Sequence, residues 1–178
     1  MKPHLQIPAR PPLLRGVRLI TVFGLGLVRP APGTFGSLPP VFLAWVLFLA
    51  LPAASAPAAI TITMLLVLVV FSLACIMQGD AAEARFRAKD PSSVVADETA
   101  GQCIPLLFLP GAALANPTLA AFTLVFAFLC FRAFDIIKPW PANQLQRLPS
   151  GWGILIDDLF AGLYAAVLVQ VVSRTMLG

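Results

Sequence analysis

Charge is what this sequence has least of. Only 11% of its 178 residues are charged, against roughly 25% in an ordinary soluble domain. Eight residues are acidic and one is a histidine, His4. With 59% hydrophobic residues and a mean hydropathy of +0.90, the chain is not a disordered tail, a coiled-coil or collagenous rod, or a water-soluble globule. A lone histidine in the Pro-rich N-terminus leaves histidine-based catalysis without a candidate. The three cysteines (Cys75, Cys103 and Cys130) are odd in number, lack a CxxC pairing and lie in or beside apolar runs. That disfavours a disulfide framework or a zinc site and makes them packing residues. A cysteine-nucleophile phosphatase would want an arginine six residues on, where this chain has Ala81, Leu109 and Ile136.

What is present is apolar sequence in blocks. The runs Leu38–Ala54, Ala58–Met77, Gln102–Ala115, Thr118–Phe131 and Leu159–Ser173 predict an all-α, polytopic membrane helix bundle of about five transmembrane helices. Ala58–Met77 has the roughly 20 residues needed to cross about 30 Å of hydrocarbon. The third run, interrupted by Pro105 and Pro110, reaches span length only if Asp97 and Glu98 begin its helix. The fifth likewise needs Asp157 and Asp158. Val17–Val28 is apolar but short, with Arg15 and Arg18 at its start, and predicts an N-terminal interfacial or partly buried helix. No small-residue cleavage site marks a signal peptide. Residues 1–12 read as a flexible Pro-rich N-terminus and 13–178 as a single membrane-embedded domain.

Every basic residue except Arg174 falls within residues 1–37, 79–97 or 132–156. Five alternating spans place those three regions on one face, which the positive-inside rule makes cytoplasmic. All eight acids fall on that face too. The net charge of +4 suits an anionic leaflet and needs no nucleic acid.

Four clusters at that face hold the chemistry. Arg29-Pro-Ala-Pro-Gly-Thr-Phe-Gly-Ser37 reads as a Gly-rich loop before a helix N-terminus, which suits a phosphate; a Pro/Gly turn with a Ser or Thr cap is the structural alternative. Asp97-Glu98 beside an apolar segment would be costly without a cation, and hard oxygen ligands favour Mg²⁺. Arg132, Asp135 and Lys138, three residues apart, share one helical face, as a phosphate-binding group or as a salt-bridge ladder. Gly151-Trp-Gly-Ile-Leu-Ile-Asp157-Asp158-Leu-Phe-Ala-Gly162 repeats the pattern of an acidic pair followed by Ala-Gly. Together the clusters favour a metal-and-phosphate site over purely structural roles. An ion-coupled transporter or cation channel also uses clustered carboxylates, but here the acids gather at one face and no inverted repeat is evident.

The segments Pro32-Gly-Thr-Phe-Gly-Ser-Leu38, Asp90-Pro with Val95-Ala-Asp97-Glu98-Thr-Ala-Gly101, Arg132-Ala-Phe-Asp135-Ile-Ile-Lys138-Pro-Trp-Pro141 and Gly153-Ile-Leu-Ile-Asp157-Asp158-Leu-Phe-Ala-Gly162 resemble, in order, the signatures of the phosphatidylglycerophosphatase A family. Ala96 and Gln102 stand where larger apolar residues are expected. The resemblance implies a Mg²⁺-dependent lipid phosphatase of the bacterial inner membrane, with its site at the cytoplasmic face. It would convert phosphatidylglycerophosphate to phosphatidylglycerol and phosphate. Catalysis would then fall to Asp97, Glu98, Asp135, Asp157 and Asp158. Asp97, Glu98, Asp157 and Asp158 would hold the metal, with Asp135 a further ligand or the base. Thr34, Gly36, Ser37, Arg132 and Lys138 would bind the substrate phosphate.

Overall fold

Proline opens the first long helix of the computed structural model, which describes residues 16–145 and 150–176. Pro32, with no N–H to lose, starts α1 (Pro32–Ala50), a position where its fixed φ suits a helix. Pro39 and Pro40 lie inside the same helix. Pro40 supplies no N–H to the Gly36 carbonyl four residues back; the Thr99 hydroxyl donates to that carbonyl instead, at 2.6 Å. One missing backbone bond thus becomes a tie between α1 and the short α3 (Ala96–Cys103).

Among the described residues, four helices are long and apolar enough to cross a membrane: α1, α2 (Ala56–Phe86), α4 (Pro117–Ile137) and α6 (Ser150–Thr175). Residues such as Phe42, Leu66, Val69, Leu129 and Val167 remain exposed on their outer faces, as expected of helices apolar all round. Asn116 caps α4 by accepting from the Leu119 N–H at 3.0 Å. At the other end Lys138 takes a left-handed conformation (φ 46°), and Pro139 cannot continue the helix. A short α5 (Ala142–Leu145) follows.

The expected third span is not a continuous helix. The prolines break it: α3 covers eight residues, and 3-10 turns follow at Ile104–Leu106 and Gly111–Leu114. This segment packs against all four long helices, where non-helical backbone can find partners. Gln170 Nε2 donates to the Leu107 and Phe108 carbonyls at 2.8 and 3.2 Å. The Phe108 N–H donates to Thr61 Oγ1 at 3.1 Å. Arg174, the one basic residue outside the three basic regions, donates to the Phe108 carbonyl at 3.3 Å.

The N-terminal apolar segment also differs from expectation. It forms turns and a 3-10 helix (Val22–Leu27), not an α-helix, with Phe23 and Gly24 at positive φ. It is partly buried as expected, through Val17, Ile20 and Val22. The Ile20 carbonyl accepts from Val95 and Ala96 at 3.0 and 3.2 Å, fixing the entry to α3. The proposed flexible residues 1–12, with His4, lie outside the described residues, as does Arg147.

Candidate active site

Asp97 and Glu98 occupy the first turn of α3, where carboxylates suit the helix dipole. The helix starts inside the bundle because Val95 and Ala96 are fully buried. Asp158 of α6 meets this pair: one carboxylate oxygen from each of Asp97, Glu98 and Asp158 lies within 4.8 Å of the others. Close approach of α3 and α6 depends on Gly101, where a Cβ would stand 2.6 Å from both the Asp158 carbonyl oxygen and the Phe131 ring.

Asp97 Oδ1, Glu98 Oε2 and Asp158 Oδ2 are buried without a hydrogen-bond partner. Orphaned carboxylate oxygens are expensive unless a cation satisfies them. The three acids supply hard, anionic oxygen donors, so a divalent ion of the Mg²⁺ kind fits the donor set. The cluster can therefore hold a metal ion.

Asp157 does not join this trio. Neighbouring helical residues point about 100° apart, and Asp157 Oδ2 instead accepts from Lys138 Nζ across the α4–α6 junction. The four expected metal ligands are thus divided into a trio and an ion-paired Asp157. Burial alone would lower the Lys138 ammonium pKa. Its bond and pairing with Asp157, reinforced by Asp158 and Asp135, outweigh that and raise it, so Lys138 stays charged. Arg132 and Asp135 form the expected i,i+3 pair, Nη1 to Oδ2 at 2.6 Å. Arg132 Nη1 also reaches Ser37 Oγ at 3.4 Å.

The Gly-rich segment before the first span is helix, not loop. Thr34, Gly36 and Ser37 belong to the opening turns of α1, and Ser37 Oγ donates to the Gly33 carbonyl at 2.8 Å. Its glycines serve close packing. A Cβ at Gly33 would run into Glu98 Oε1 and stand 3.1 Å from Arg132 Nη1, so α1 can pass directly beside the acidic cluster. Thr34 is half-buried at this end, while Gly36 packs against Val95. The three cysteines are free and buried, as expected of packing residues.

Two residues outside the expected site stand near it. Asp90, exposed at the rim, has a carboxyl raised by partial desolvation and then by Asp157, with Lys138 pulling the other way. Its place in the Asp90-Pro motif was the available signal. Gln102 lies one turn along α3 from Glu98, fully buried, with neither amide atom partnered. Its polarity in an apolar run was the signal there.

The sequence profile of phosphatidylglycerophosphatase A matches residues 18–173. The chain belongs to the phosphatidylglycerophosphatase A family. The match spans every helix of the site, and the chain is accordingly an enzyme, a membrane-associated lipid phosphatase. Among similar proteins, the phosphatidylglycerophosphatase A of Haemophilus influenzae is 35% identical, covering 93% of both chains. That of Escherichia coli is 30% identical over 85% of this chain and 80% of its own. A Bacteroides thetaiotaomicron protein named as a candidate phosphatidylinositol-3-phosphatase is 34% identical over 89% of this chain and 92% of its own. No solved structure matches the chain.

Proposed function

We propose that this protein hydrolyses the terminal phosphate monoester of phosphatidylglycerophosphate to phosphatidylglycerol and inorganic phosphate. It would do so with Mg²⁺, at the cytoplasmic face of the bacterial inner membrane. The observation that carries the reading is the trio of carboxylates, each with a buried, orphaned oxygen, set beside Arg132. The names of the Haemophilus and Escherichia relatives support the headgroup. The cytoplasmic placement rests on the basic residues flanking the site end of each long helix.

Asp97, Glu98 and Asp158 would hold the ion, with Asp157 a further ligand only if it gives up Lys138. Bound there, Mg²⁺ supplies neutralisation of phosphoryl charge and polarisation of a coordinated oxygen. The chain's own residues do the rest. Arg132 and Lys138 offset the remaining phosphate charge. The amides of Gly33 and Thr34, without intrahelical acceptors, and the hydroxyls of Thr34 and Ser37 orient its oxygens; Gly36 keeps α1 close enough for them to do so. Asp135, outside the trio and oriented by Arg132, takes a proton from the attacking water. The water oxygen bonds to phosphorus, the phosphorus–glycerol oxygen bond breaks, and the glycerol oxygen receives a proton equivalent to the one Asp135 took. Phosphoryl transfer needs mainly such positioning and charge neutralisation.

The transporter reading has no comparable support: Asp80, Glu83, Asp90 and the site acids all lie at one end of the bundle. The test is phosphate release by detergent-solubilised protein from phosphatidylglycerophosphate, phosphatidic acid and phosphatidylinositol 3-phosphate, each with and without EDTA. Preferential, EDTA-sensitive release from the first is expected. Preference for either of the others would overturn the proposed substrate, and no release from any would overturn the phosphatase mechanism.

A further inference from the structure

Between α1 and α4, on the outside of the bundle, runs an apolar groove of about 590 Å³, within the range of small-ligand sites. Phe35, Leu38, Phe42 and Trp45 line it from α1, and Leu124 and Val125 from α4. The α1 residues fall at steps of three, four and three, a single helical face.

We propose that this groove seats one acyl chain of the phospholipid substrate, drawn sideways from the cytoplasmic leaflet. The inference rests on the lipid phosphatase reading above and adds the place where the lipid's apolar part binds. Three observations converge on that occupant. First, length: Phe35 to Trp45 is ten residues, about 15 Å of helix, half of the roughly 30 Å hydrocarbon thickness and so one leaflet deep. Second, direction: Arg132 lies seven residues beyond Val125, about two full turns of α4, and so continues the stripe that forms the groove wall. Third, chemistry: the two walls are joined at the site end by the Arg132–Ser37 contact at 3.4 Å, with the Glu98 carboxylate beside Gly33 just behind it. A chain lying in the groove therefore leads its headgroup to a guanidinium and then to the carboxylate trio. A second copy of this chain would not need a charged terminus at only one end of the groove.

Photo-crosslinking tests this on the unaltered protein in detergent micelles. The probe is phosphatidylglycerophosphate carrying a diazirine in one acyl chain, and the label is mapped by peptide mass spectrometry. Label should concentrate within residues 35–45 and 121–125. Excess unlabelled phosphatidylglycerophosphate should remove it, whereas phosphatidylcholine of the same chains should not. Label spread evenly to lipid-facing residues such as Leu66 or Val167, competition by both lipids alike, or no label in the groove would each overturn the proposal. Phosphate release measured on the same preparation separates the two readings: release without competable groove label sinks the groove alone, and competable groove label without release sinks the hydrolase reading alone. As a kinetic counterpart, Ala121→Phe, at a residue that also lines the groove from α4, narrows it away from the reacting groups. It should raise KM for the long-chain lipid about tenfold while kcat stays within about twofold, the pattern of lost uniform binding. A folded variant with parental KM would contradict it.

Discussion

Asp97 and Asp158 sit where the fold alone gives them little support. Each buries a carboxylate oxygen with no hydrogen-bond partner, a cost that a cation offsets and a neutral amide would largely avoid. Asp97→Asn should therefore raise the melting temperature in EDTA by about 2–8 °C, at roughly 2–4 °C per kcal/mol for a chain of this size, while phosphate release falls more than about a hundredfold. A lowered melting temperature in EDTA would show that the carboxylate is satisfied within the protein. The Lys138–Asp157 pair should behave in the opposite sense. Lys138→Met removes the ammonium bonded to the buried Asp157, costing about 3 kcal/mol. Adding Asp157→Leu should restore most of that stability and none of the activity. If the double variant melts no higher than the single one, the pair is not the source of the loss.

At the scale of elements, α3 is tied to α1 by a substitution of partners. Pro40 leaves the Gly36 carbonyl without a backbone donor, and Thr99 fills the place at 2.6 Å. Thr99→Val should cost about 1–3 kcal/mol for an orphaned buried carbonyl. The same change in a Pro40→Ala background should cost clearly less, because the alanine N–H returns to Gly36. Additive losses in thermal unfolding of the four proteins would contradict this coupling.

This element also shows where sequence reading worked and where it stopped. The two acidic pairs and the Arg132–Asp135 ladder were readable because a carboxylate in apolar sequence has few structural uses and helical spacing fixes which side chains meet. The division of Asp157 from the trio was not, because it depends on the rotation of α6 about its axis relative to α4. Gly33 and Gly36 look like turn residues in sequence. Their role in packing α1 against Glu98 and Val95 exists only once the helices are assembled. Pro105 and Pro110 were visible as interruptions, but replacing the third helix with turns required the long-range partners Thr61, Gln170 and Arg174.

In the whole molecule, α1 and α6 begin at the site end and α2 and α4 finish there, so the described charged groups other than Arg174 collect at one end of an otherwise apolar bundle. On the proposed topology, with that end facing the cytoplasm, a membrane-impermeant maleimide added to spheroplasts should label Ser55→Cys and spare Lys89→Cys until the membrane is opened. The native cysteines are buried and should contribute little background. The reverse pattern would invert the topology. The central claim, that Asp97, Glu98 and Asp158 together hold the divalent ion that hydrolysis needs, is tested most directly by a Mg²⁺ titration of phosphate release from phosphatidylglycerophosphate after EDTA treatment, run on the parental protein and on Asp158→Asn. Saturable restoration of the parental activity is predicted, with the variant needing at least about tenfold more Mg²⁺ or failing to recover. Full activity in EDTA, or an identical Mg²⁺ curve for the two proteins, would contradict the account.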